Sequence, residues 1–133
     1  MISTRGRYAL RVLVDLAERG DEGFVPLKDI AQRQDLSEKY LQQILKLLVD
    51  AGMLKGASGR GGGYRMMRDP RDCSVKEVLE LTEGALAPVA CLAPGAEPCP
   101  QAPTCKTLPM WKEFDVIASE FFANKTIADL AGL

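Results

Sequence analysis

The sequence predicts a mainly α-helical domain carrying one small β-hairpin. Apolar residues recur at helical spacing through several stretches, two short strand-like runs flank a glycine-rich polar tip, and a proline-dense stretch interrupts regular structure before a last aromatic-rich helix. The chain has 133 residues and 47% hydrophobic content, enough for one domain with a real core and a small appendage.

Ala9, Val12, Leu13, Leu16 and Ala17 mark one face of a helix over residues 3–19, which Gly20 ends. After a turn at Asp21-Glu22-Gly23, residues 28–34 form a short helix with Leu27, Ile30 and Ala31 on one side. The three-residue turn Asp35-Leu36-Ser37 follows. Ser37 is a good N-cap, Glu38 sits at the positive helix end, and Leu41, Ile44, Leu45 and Leu48 draw an apolar stripe towards Gly52. Two helices joined by so short a turn suggest helix-turn-helix. The second presents Lys39, Tyr40, Gln42, Gln43 and Lys46 outward, amides that suit base edges and cations that suit phosphates.

Met53-Leu54-Lys55 and Tyr64-Arg65-Met66-Met67 flank the tip Gly56-Ala57-Ser58-Gly59-Arg60-Gly61-Gly62-Gly63, which reads as a hairpin wing. A nucleotide-cradling loop is the lesser reading, because no Gly-Lys-Ser/Thr follows and no strand-loop-helix surrounds it. Ser74 to Glu77 has the form of a capping box opening a helix to Gly84. Prolines at 88, 94, 98, 100, 103 and 109 then exclude regular structure from residues 85–109. The last long helix starts near Pro109 and carries Trp111, Phe114, Ile117, Ala118, Phe121 and Phe122, a stripe that is either core or a two-fold partner surface. Thr126-Ile127-Ala128-Asp129 starts a final helical turn. The order is that of a mainly α winged helix-turn-helix with a small hairpin wing, a cysteine-bearing loop and a long C-terminal helix.

Charge permits nucleic-acid binding in one half only: the first 70 residues hold 12 Lys+Arg against 9 Asp+Glu, the rest 5 against 9. Arg5, Arg7, Lys28, Lys39, Lys46, Lys55, Arg60, Arg65 and Arg68 lie on elements that could converge on one surface. Histidine is absent, which excludes histidine-dependent triads and His-rich zinc sites, and no other catalytic constellation is visible, so neither enzyme chemistry nor a small-molecule substrate is expected. No apolar run has the length of a membrane span and no export signal is evident, so a cytoplasmic location without membrane association is expected.

A reducing cytosol favours thiols or metal ligation for the four cysteines. Cys91, Cys99 and Cys105 share the proline-stiffened loop, a setting that suits an iron–sulfur cluster, which needs several thiolates converging on one point. The alternatives are unrelated thiols, a loop disulfide, or zinc completed by Cys73. Close Cys-x2-Cys pairs typical of zinc are missing, and Cys73 reads as a small core residue. A small iron–sulfur electron carrier also fits the cysteines but leaves the polar helix face and the wing without purpose.

Gly6-Arg7-Tyr8-Ala9-Leu10, Ile30-Ala31-x-Arg33-Gln34, Ser37-Glu38-Lys39-Tyr40-Leu41-x-Gln43-Ile44-Leu45, Gly62-Gly63-Tyr64 and the three cysteines before Trp111 together resemble the IscR/NsrR/CymR group of winged-helix regulators, over nearly the whole chain. The resemblance implies a homodimer built on the C-terminal helices through Trp111, Phe114, Ile117, Ala118 and Phe121. It also implies an operator of double-stranded DNA read by Arg5, Arg7, Lys28, Ser37, Lys39, Tyr40, Gln42, Gln43, Lys46, Lys55 and Arg60, and a cluster on Cys91, Cys99 and Cys105, [2Fe-2S] ahead of [4Fe-4S]. The organisation that follows is a DNA-binding part over residues 1–84, a cluster loop over 85–108 and a dimerisation helix with tail over 109–133. Leu108 and Arg7 stand where relatives supply a fourth cluster ligand, and neither can serve in the same way. That position stays open among Glu97, Glu113, Cys73, a backbone group, a small thiol and water. Ser58 stands where an arginine commonly precedes the wing glycines, and Gln42 stands where a relative's glutamate makes operator choice depend on the cluster. The function implied is a cluster-sensing repressor, with a cluster-free regulator of sulfur or cysteine metabolism as the alternative.

Overall fold

Ser3 begins the first helix: its hydroxyl accepts the Gly6 N–H at 3.1 Å, and α1 runs Thr4–Arg19. The computed structural model describes residues 2–20 and 22–133; Met1 and Asp21 lie outside them, and with Asp21 one residue of the expected turn at 21–23. Ala9, Val12, Leu13, Leu16 and Ala17 are all buried, as their spacing predicts. Beside them Asp15, at 6% exposure, is a buried charge that an apolar reading of this face does not anticipate.

Helices α2 (Leu27–Gln34) and α3 (Glu38–Asp50) make the helix-turn-helix. Asp35 turns the chain between them in the left-handed conformation, φ 55°, and Leu36 N–H closes the end of α2 on Ala31 O at 3.0 Å. Ser37 caps α3 by accepting the Tyr40 N–H at 3.1 Å. Leu41, Ile44, Leu45 and Leu48 are fully buried against α1, each contributing about 1.5–3 kcal/mol of transfer free energy.

Strands β1 (Leu54–Ala57) and β2 (Gly63–Met66) pair antiparallel, Lys55 opposite Arg65 and Gly56 opposite Tyr64. The glycines before Tyr64 have a structural reason. Tyr64 and Val25 exchange both backbone hydrogen bonds, at 2.8 and 2.9 Å, so a side chain at Gly63, where φ is 144°, would drive into the Val25 carbonyl. One at Gly62 would meet the Ala57 carbonyl.

A 3-10 turn at Pro70–Asp72 leads to α4 (Val75–Glu83). The capping box expected here is half formed. Ser74 accepts the Glu77 N–H, but the Glu77 carboxylate takes Arg68 instead, at 2.6 Å. The same Arg68 donates to Ala51 O at 3.0 Å, fastening the wing's exit to both α3 and α4. A complete capping box forms at Thr126 and Asp129, opening α6 (Ile127–Ala131), the final short turn of helix that the sequence suggests. Backbone bonds from Val75 to Lys125 and from Ile127 to Cys73 return α6 to the core, so Ile127 packs in the same core as Cys73, and Ala128 is buried as well.

Residues 85–107 hold only short 3-10 turns at Ala90–Leu92 and Ala102–Thr104, as the prolines require. Helix α5 (Leu108–Ala123) follows and buries none of its residues. Its stripe is therefore not core. Phe114, Ile117 and Phe121 lie outward at 42%, 58% and 56% exposure, whereas Trp111 and Ala118 fall on the half-buried side with Phe122, which packs on Val75, Leu79 and Leu86. The single face expected for the partner surface is thus two faces. Among the described residues no helix is long and apolar enough to cross a membrane.

Candidate nucleic-acid interface and cysteine loop

Helix α3 buries its apolar stripe and leaves Lys39, Gln42, Gln43 and Lys46 exposed on one side. Both amides are open to solvent and able to pair with base edges. Lys46 leans on Asp50 at 3.3 Å, an exposed pair of little net strength that a phosphate can displace. Tyr40 departs from the purely outward position expected of it. Its ring packs half-buried, edge-on to Tyr8 with centroids 6.3 Å apart, leaving only part of it for a ligand. Ser37 is engaged as the cap of α3, and its hydroxyl is available only in addition to that duty.

Lys28, at the start of α2, and Arg60, at the wing tip, are exposed. Lys55 and Arg65 stand directly opposite on the hairpin, both exposed, with Arg65 also over the Phe24 ring at 4.9 Å. Two like charges facing each other across strands destabilise the hairpin unless an anion lies between them. Arg65 is among the basic residues that the sequence offers for one surface but not among the DNA contacts that the resemblance implies; the strand register, which sets it opposite Lys55, is the signal for it.

At the start of α1 the two arginines divide. Arg5 donates to Thr82 O at 2.9 Å, while Ser3 gives its N–H and hydroxyl to Glu83 at 3.0 and 2.5 Å. Burial would raise the Glu83 pKa, but these hydrogen bonds outweigh it and hold the carboxyl below its ordinary value. Arg5 therefore clamps α1 to α4 before it can serve DNA, and Gly6 is small because a side chain there would meet Glu83 and Thr82. Arg7 is exposed, and its side chain donates to Thr4 Oγ1 at 3.2 Å.

The Arg33-Gln34 pair is a lock between α2 and α1. Arg33 grips Asp15 through two bonds, at 2.7 and 3.0 Å, and Gln34 adds a third at 2.8 Å, so the buried carboxylate of α1 sets the pose of α2. Burial pushes the Asp15 pKa up; the bonds from Arg33 and Gln34 and the charges of Arg33 and Arg19 more than reverse that, leaving it lowered.

All four cysteines are free. Cys73 is sealed in the core at 0% exposure, where burial raises its pKa despite nearby Arg68; it packs as a small apolar residue and stands apart from the loop thiols. Cys91 and Cys99 are exposed, Cys105 half-buried. Cys105 Sγ lies 3.5 Å from Thr107 Oγ1, and that contact, with the backbone N–H groups of Thr107 and Leu108, lowers its pKa. Three unpaired thiols are a donor set that iron–sulfur clusters take. Their arrangement is open: among the described residues no three Cys, Asp or Glu side chains gather closely enough to share a metal ion.

A helix-turn-helix with an exposed polar recognition face, followed by a wing bearing opposed cations, defines a DNA-binding winged-helix regulator of transcription. The family model Rrf2, described as iron-dependent transcriptional regulator, matches residues 2–132. The chain belongs to the Rrf2 family. It is 37% identical over 130 residues to the protein rrf2 of Nitratidesulfovibrio vulgaris, covering 97% of this chain and 85% of that one. It is 33% identical to the HTH-type transcriptional regulator IscR of Serratia proteamaculans, covering 97% and 77%. The structure of CymR, the global cysteine regulator of B. subtilis, superposes with a TM-score of 0.82 at 33% identity, covering 99% of this chain and 96% of that one. These relatives are regulators, not enzymes.

Proposed function

We propose that this Rrf2-family protein is a homodimeric repressor that grips a two-fold operator and senses through an iron–sulfur cluster held by Cys91, Cys99 and Cys105. The observation that carries the reading is the placement of three free thiols on the one irregular segment joining the DNA-binding half to α5. The exposed Phe114, Ile117 and Phe121 supply a surface for a second copy, and the family's description as iron-dependent supports iron at the thiols. A bound cluster would supply a centre that oxidants and nitric oxide alter. The chain's own part is to present the three thiols and to join them to α5 through Cys105, two residues before Thr107, the cap of that helix. Gln42 and Gln43 read bases; Lys39, Lys46, Lys55, Arg60 and Arg65 hold phosphates or the adjoining groove.

The test is an absorption spectrum with iron and acid-labile sulfide analysis on protein purified without oxygen, repeated for Cys99→Ala. A visible chromophore with matching iron and sulfide, lost in the variant, supports the reading. A colourless protein that still binds its operator overturns the cluster and leaves a second reading, a cluster-free regulator of cysteine metabolism. The open arrangement of the thiols and the likeness to CymR favour that alternative.

A further inference from the structure

A cavity of about 300 Å³ opens between α4, the cysteine-bearing loop and α5. Lys76 and Glu80 of α4 and Asp115 and Ser119 of α5 give it polar heads, and Leu86 and Leu92 give it an apolar wall; none of the loop cysteines lines it. Lys76 Nζ and Glu80 Oε1 stand 3.8 Å apart, too far for a hydrogen bond, with both side chains partly exposed. Asp115 joins none of the ion pairs formed among the described residues. One ammonium against two carboxylates leaves the cavity net negative. Gly84, just past the last turn of α4, also lines it, so the negative end of that helix adds to the preference for a cation at this end. Lys76, one turn before Glu80, is the single centre for an anion.

We propose that this cavity binds a free α-amino acid with a small or medium apolar side chain. The ligand's ammonium lies between Glu80 and Asp115, its carboxylate on Lys76, and its side chain against Leu86 and Leu92. An α-amino acid carries its two charges as close together as Lys76 and Glu80 carry theirs, so it completes a ring of alternating charge that the protein leaves open. The cavity is of the size small ligands use. Its walls come from the DNA-binding half, the loop and α5, so an occupant ties all three together and gives the regulator an input besides the loop thiols. The inference goes beyond the proposed function and needs no cluster.

Isothermal titration calorimetry on the full-length protein tests it, with L-alanine, L-valine and L-methionine as probes, each beside the amine lacking its carboxylate and the acid lacking its amino group. The expected result is saturable heat with at least one amino acid, none with its amine or acid, and affinity weaker by about tenfold or more in Lys76→Ala and Asp115→Asn. Thermal melts of both variants confirm that they fold. No saturable heat with any of the three overturns the proposal, as does an amine that binds as well as its amino acid, or binding unchanged in both variants. A colourless protein that binds the amino acid would sink the cluster and leave this site standing.

Discussion

Helices α1 and α5 are each 16 residues long, yet α1 buries seven of its residues and α5 buries none. Both carry apolar residues at helical spacing. The difference lies in what surrounds them: α1 is enclosed by α2, α3, α4 and α6, pinned at its start by Glu83 and nearer its end by Arg33 and Gln34, which hold its Asp15, whereas α5 touches its own chain along one side only. A helix with Phe114, Ile117 and Phe121 in water offers the apolar surface that the proposed second copy would cover. One helix builds the core; the other leaves most of its apolar stripe uncovered.

The comparison can be broken most sharply at its two apolar faces. Leu45→Ala, in the core under α1, should lower the unfolding free energy by about 2–5 kcal/mol in urea titrations, at every protein concentration. Phe121→Asp, on the open face of α5, should instead leave the secondary structure by circular dichroism intact and shift sedimentation from dimer to monomer. A Phe121→Asp protein that sediments like its parent would remove the reason for treating α5 as a partner surface.

Next in size is the lock inside the DNA-binding half. Asp15→Asn removes a carboxylate held by Arg33 and Gln34 and should cost about 2 kcal/mol, less than a fully enclosed pair because Arg33 is a third exposed. The sign of its pH effect follows from the lowered pKa. The Asp15 contribution is complete above the ordinary aspartate value of about 4 and is lost as pH falls through the folded value, so the wild type should weaken in acid more steeply than Asp15→Asn. Equal acid slopes in thermal melts would mean that Asp15 is not the titrating lock. Gly63→Ala should cost about 1–3 kcal/mol by forcing the wing from Val25, with operator affinity falling alongside.

The smallest effects lie on the exposed DNA face. Lys55→Ala and Arg65→Ala should each weaken binding to all sequences alike and reduce the salt slope by about 1. Gln43→Ala should leave that slope unchanged and relax preference at one base position. Electrophoretic shifts over a salt series with operator and scrambled DNA separate the two outcomes; a Lys55→Ala variant that changes sequence preference alone would reassign the wing.

The helices, the turn at Asp35, the hairpin and the proline-broken loop could all be read from the sequence because each rests on local rules: apolar spacing, caps, and the backbone limits of glycine and proline. The exposed Gln42, Gln43 and Lys46 followed from the same spacing once Leu41, Ile44, Leu45 and Leu48 were placed inside. What spacing could not supply was partnership between distant residues. That Arg5 serves Thr82, that Arg33 and Gln34 serve Asp15, that Glu77 leaves its own cap for Arg68, and that Lys55 faces Arg65 are outcomes of tertiary contact, since a long polar side chain takes whichever partner the fold brings within reach. Whether the stripe on α5 was core or surface was decided the same way. The stripe is written in the sequence, but burial belongs to whatever packs against it, and in this chain only the side bearing Phe122 has found a neighbour.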